Sequence, residues 1–220
     1  MRIHITNSLL EKLPDFHIEA LKIQVEVQDS KHIDDLINQT EQNIKEEYSL
    51  EEVLNIPLIK EARDSYKLLG KDPSRTRLAC ESLLRRIVKG NSLYRINDIV
   101  DMGNILSIQT KRSTALMDIN TIRGDVFIRI GTTEDRFDGI GRGSINVDKI
   151  PIYVDDVGPF GSPTSDAPRT MIQATTKEIL LMIICFGPEK HKEHKKLAKD
   201  LFANHCKIGL IEDIEVVKMR

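Results

Sequence analysis

The longest uninterrupted apolar run in the chain, Ile179 to Phe186, is eight residues, whereas a membrane-spanning helix needs about 20. No segment is therefore expected to cross a bilayer. The run is rich in strand formers, as are Asp125 to Ile130 and Val147 to Val154. Between these runs lie Gly131, the Gly139-Ile140-Gly141-Arg142-Gly143 segment, Gly158-Pro159 and a Ser/Thr/Pro/Asp stretch from Gly161 to Thr170, all turn and loop signals. The chain beyond Thr110 is thus expected to be mostly strand. It returns to helix from Pro188 to Asn204 and closes with a strand from Ile208 to Val217.

Before Thr110 the texture is different. Arg2 to Thr6 and Phe16 to Val27 read as strands around a short helix from Leu9 to Leu13. Ile33, Leu36, Ile37 and Ile44 recur at helical spacing, and Pro57 opens a helix that stops at Gly70, so residues 31–69 are expected to be helical. Asp72-Pro73-Ser74 is a loop-to-helix junction in which Ser74 caps a helix burying Leu83, Leu84, Ile87 and Val88. Asn97 is placed to cap a further helix, Ile96 to Ile108. Ile, Leu, Val and Phe make up about 30% of the 220 residues, above the roughly 20% at which a chain fails to build a core. No apolar segment follows Met1-Arg2, and the three cysteines, Cys80, Cys185 and Cys206, form no CxxC pair. Both observations lead to the expectation of a reducing, cytoplasmic setting.

Charge is uneven. The total, 32 basic against 34 acidic residues, is −2, but from Lys67 to Arg95 eight cations (Lys67, Lys71, Arg75, Arg77, Arg85, Arg86, Lys89, Arg95) meet only Asp72 and Glu81. A milder excess runs from Glu189 to Lys207. Either an anionic partner or a solvated helix face gives such counts.

The individual motifs are weak. Gly139, Gly141 and Gly143 are spaced GxGxG, and no helix follows to hold a pyrophosphate, so a strand-connecting turn is the better reading. His191 and His194 could share a metal only with a third ligand, and the lysines around them favour a polar helix face. Asp155 and Asp156 fit a turn better than a metal or acid/base pair. No GxSxG elbow accompanies Ser74. The loop holding Ser165, Asp166, Arg169 and Thr170 suits binding chemistry, with Arg169 taking a phosphate or carboxylate and Asp166 orienting it; a local salt bridge fits equally well.

Read together, Gly70-Lys71-Asp72-Pro73-Ser74-Arg75-Thr76-Arg77, Leu83-Leu84-Arg85-Arg86 and Arg95-Ile96-Asn97-Asp98-Ile99-Val100-Asp101-Met102-Gly103-Asn104 resemble the B3/B4 domain of the phenylalanyl-tRNA synthetase beta chain. The resemblance continues through Asp118-Ile119, Gly124 to Ile130, Val154 to Pro159 and Thr175 to Leu181. It implies an α+β fold, a β-sandwich of unusual topology flanked by helices. Residues 1–69 would be a mainly helical extension packed on the core, and 70–220 the B3/B4-like domain of a free-standing protein. The bacterial pattern has a histidine three residues before the aspartate matching Asp118; here Ala115 stands in its place.

What the resemblance implies is a cytoplasmic RNA-binding module that recognises tRNA or aminoacyl-tRNA, without cofactor, metal or membrane. Lys71, Arg75, Arg77, Arg85, Arg86 and Lys89 would meet phosphates. Asn104, Ala115, Asp118, Asp166, Arg169 and Thr170 would line a pocket for the terminal adenosine or aminoacyl group. With four tyrosines, six phenylalanines and no tryptophan, electrostatics would outweigh base stacking. The alternatives are a trans-acting deacylase of mischarged tRNA, whose catalytic groups the sequence does not identify, and a nucleic-acid-free small-molecule or protein-binding domain. The oligomeric state is left open.

Overall fold

Every residue from Ile179 to Cys185 is buried along β9 (Glu178–Cys185), because both faces of that strand are covered. In the computed structural model, which describes residues 1–219, β9 runs antiparallel between β2 (His17–Val25) and β3 (Thr114–Asp118), with β10 (Ile208–Asp213) beyond β2. Helices α5 (Asp98–Thr110) and α6 (His191–His205) pack on one side of this four-stranded sheet. On the other side, Met117 of β3 reaches Gly161 of the second sheet.

That second sheet has the order β11 (Val216–Lys218), β1 (Ile3–Ile5), β4 (Val126–Ile130), β7 (Pro151–Asp155) and β8 (Gly158–Gly161). Ile3 lies opposite both Val216 and Val126, so β1 is paired in parallel on both edges. A hairpin, β5 (Arg136–Asp138) and β6 (Ser144–Asn146), stands apart. The remaining helices are α1 (Asn7–Lys12), α2 (Asp34–Glu47), α3 (Pro57–Leu68) and α4 (Ala79–Val88). This is the expected α+β arrangement of two facing sheets flanked by helices. Residues 1–69 supply an interior strand to each sheet. They also supply Tyr66, whose ring meets Phe186 edge-on at 5.8 Å, and Phe16, which meets it at 5.3 Å.

Asn97 caps α5 as expected, its Oδ1 accepting from the Val100 N–H. Ser74 does not cap α4, which begins five residues later with Leu78 before it; the Ser74 N–H and hydroxyl donate instead to Asp72 Oδ1 in a local turn. The strand expected from Val147 shrinks to Pro151–Asp155, because Lys149 adopts a φ of 62°. The strand expected over Ile208 to Val217 divides into β10 and β11, which serve different sheets. Among the described residues no helix is long and apolar enough to cross a membrane.

Candidate nucleic-acid interface

The basic segment between α3 and α4 is folded back on itself. Gly70 takes a φ of 85°, and Lys71 Nζ then donates to Asn146 O, Asn146 Oδ1 and Asp148 O. Lys71 is thereby spent on the 146–148 loop, and burial lowers its pKa. Arg75 is 89% exposed in its side chain and makes a loose, solvent-exposed ion pair with Asp72 at 3.7 Å. Arg77 makes no ion pair among the described residues.

In α4 the two arginines differ. Arg85 leans 4.0 Å from the buried Glu81, which Arg63 grips at 2.7 Å, so its charge is partly consumed inside the protein. Arg86 donates to Ser92 O, and its guanidinium stacks 3.9 Å above the Tyr94 ring. Tyr94 is 63% exposed, which makes the pair an open stacking platform. The β5–β6 hairpin brings Arg142 to the same surface. Its connection, residues 139–143, is the turn that the glycine spacing implied, with Arg142 N–H donating to Gly139 O and Gly141 at a φ of 66°.

Three adjoining clefts result, all bordered by Ser82 and Arg142. Arg75 and Arg77 line one, Arg85, Arg86 and Lys89 another, and Asn104 with Tyr94 the third. No carboxylate, imidazole or thiol borders any of them. Arg142 and Tyr94 were not legible in the sequence as members of this surface. Arg142 lay inside a segment weighed only for its glycines, and Tyr94 sits eight residues beyond Arg86 in irregular chain.

The other expected pocket residues do not join Asn104. Ala115 is buried opposite Met182. Asp118 accepts from the Asn120 N–H and the Thr176 hydroxyl. Thr170 is fully buried and donates to Ala167 O. Arg169 forms a two-pronged ion pair, at 2.6 and 3.1 Å, with Asp155 and not with Asp166. Burial would raise the Asp155 pKa, but Arg169 and the N–H groups of Arg123 and Val157 outweigh it and hold the carboxyl below its ordinary range. Asp155 is thus an anchor of the β7–β8 hairpin. Asp166 Oδ1 is buried with no hydrogen-bond partner, near the equally unpartnered Tyr153 hydroxyl, and burial pushes the acid up to about 8.

His191 and His194 also part. His194 is buried on α6, its pKa pushed down to about 4 by burial and by Arg112, which corrects the expectation of a wholly solvated face.

A family model described as B3/4 domain matches residues 61–203. No curated protein matches the chain. Among solved structures, an N-terminal fragment of the phenylalanyl-tRNA synthetase beta-subunit from Pyrococcus horikoshii is similar, with a TM-score of 0.51 and 10% identity. The similarity covers 99% of this chain and 52% of that one. At such identity the likeness is one of fold, and this chain spans about half the length of the synthetase fragment.

Proposed function

This chain belongs to the B3/4 domain family, and from that premise we propose that it is an RNA-binding module that engages tRNA or aminoacyl-tRNA through the α4 and hairpin surface. One observation carries the reading: Arg75, Arg77, Arg86, Lys89 and Arg142 border contiguous clefts that hold no acidic side chain. Four of these five cations, Arg77, Arg86, Lys89 and Arg142, make no ion pair among the described residues, and Arg75 has only the exposed Asp72 at 3.7 Å; phosphate contacts supply most of the sequence-independent affinity for nucleic acid. The Arg86–Tyr94 pair adds a face on which an unstacked base can lie. Lys71 and Arg85 would act indirectly, by shaping the loop and holding Glu81. We assign binding ahead of ester hydrolysis because the clefts offer no general base.

The test is filter retention of charged and uncharged tRNA across a salt series, with ester hydrolysis scored in the same tubes. Arg77→Ala and Arg142→Ala are each expected to weaken binding about tenfold at low salt and to flatten the log K against log[salt] slope by about 0.7–0.9. Tyr94→Ala should weaken binding to single-stranded ends while leaving that slope unchanged. Affinity that does not change between 50 and 200 mM salt, or no retention of any tRNA, would sink the proposal. Hydrolysis with turnover would replace binding alone with the deacylase reading.

A further inference from the structure

Away from the basic face, β2 and the start of α6 bring together three donors that the proposed RNA contact does not use. His17 and Glu19 are two residues apart on β2, so both project from the same face of the strand. His191, the first residue of α6, places Nδ1 2.6 Å from Glu19 Oε1 and its ring edge-on to that of His17, centroids 4.5 Å apart. One ligand atom from each of the three residues lies within 4.8 Å of the others.

The state of His17 is informative. Its Nδ1 lies 3.0 Å from Asp15 O, so that nitrogen carries the proton and donates to the carbonyl, leaving the lone pair on Nε2. That Nε2 is buried and has no hydrogen-bond partner among the described residues, a costly arrangement for a polar atom. An imidazole with one nitrogen tied to a backbone carbonyl and the other bare is the usual condition of a metal-ligating histidine.

We propose that His17 Nε2, Glu19 and His191 form a binding site for a divalent transition-metal ion, Zn²⁺ being the cation that best suits two imidazoles and a carboxylate. Bonds of about 2.0–2.1 Å in tetrahedral geometry require donors about 3.4 Å apart, so the 2.6 Å between His191 Nδ1 and Glu19 Oε1 would have to open on binding. Three protein ligands leave one position for water or an anion.

The surrounding lysines do not forbid a cation, because most are neutralised. Lys195 is held between Glu19 Oε2 at 3.0 Å and Asp213 at 2.6 Å, Lys199 pairs with Asp213 at 3.0 Å, and Lys196 with Asp200 at 2.5 Å. Lys195 takes only Oε2 of Glu19, and at Oε1 a metal would replace the proton that His191 Nδ1 now shares with it, that proton leaving to solvent. Lys192, the one lysine of the cleft bordered by Glu19 that makes no ion pair among the described residues, would then favour an anion in the fourth position.

The experiment is titration of the metal-stripped full chain, in a Cys206→Ser background, with Zn²⁺ by calorimetry and Co²⁺ by visible absorption. One equivalent is expected to bind, with a Co²⁺ spectrum of tetrahedral type and affinity that falls as pH drops below 6. His17→Ala and His191→Ala should each lower affinity at least tenfold. His191 is 30% exposed in its side chain, so its replacement reports on the site even if His17→Ala does not fold. No binding at millimolar metal, or binding that survives His191→Ala unchanged, overturns the proposal.

Discussion

Asp166 Oδ1 is buried without a hydrogen-bond partner among the described residues, and the consequence is a pH-dependent strain. Its pKa rises from 3.8 to about 8 through burial alone. Below about pH 4 the group is protonated in both folded and unfolded chains and costs nothing; between pH 4 and 8 the unfolded chain ionises while the folded one resists, and stability is lost. Asp166→Asn should therefore raise the melting temperature by an increment that is absent at pH 4 and grows up to pH 8. A constant increment across that range would refute the assignment. Asp155 is the opposite case, since its side chain is fully buried and bound to Arg169. Asp155→Ala should cost about 3–5 kcal/mol in denaturant unfolding, by stranding a half-buried guanidinium. At this scale the sequence was partly legible. That Asp155-Asp156 is a hairpin turn could be read from residue types, but the partner of Arg169 could not. Asp166, three residues away, is the nearer carboxylate along the chain, and only the β7–β8 pairing carries Asp155 across to the arginine.

Gly103 sets how closely α5 approaches β3. A Cβ there would sit 2.0 Å from Leu116 Cδ1, so Gly103→Ala forces the partly buried Leu116 side chain to move, and the overpacking cost of about 1–3 kcal/mol is offset by about 1 kcal/mol of helix propensity, leaving a net loss of up to about 2 kcal/mol. Leu116→Ala made in the same chain should return part of that loss, and a double-mutant cycle measures the coupling. Helices were the legible elements, because α2, α3 and α5 carry their periodicity and punctuation locally: Pro57 at the start of α3, Asn97 before α5. Strands were less so. β3 is five residues long with only Ala115 and Met117 fully buried, too short an alternation to stand out, and the Lys149 turn that cuts back β7 rests on a backbone angle rather than on a glycine or proline.

Across the whole molecule, both sheets depend on the first 25 residues. β1 lies between β11 and β4, and β2 between β10 and β9. The fragment 70–220 should accordingly lack cooperative unfolding and dispersed amide resonances, since removing an interior strand exposes two ladders and the apolar faces beneath them. A folded 70–220 would show that the helical and strand parts are separable. Such pairings were not legible in advance, because neighbours in a sheet need not be neighbours in sequence, and periodicity reports which face of a strand is buried and not what lies beside it.

The placement of β1 also has a timetable. Its partner Val126 on β4 is made long before its other partner, Val216 on β11. At a synthesis rate of about 5–20 residues per second, the second edge of β1 waits roughly 5–18 s after Val126 for the chain that completes it. During that interval the nascent chain carries an open strand edge, a surface on which another chain could pair before β11 arrives to cover it.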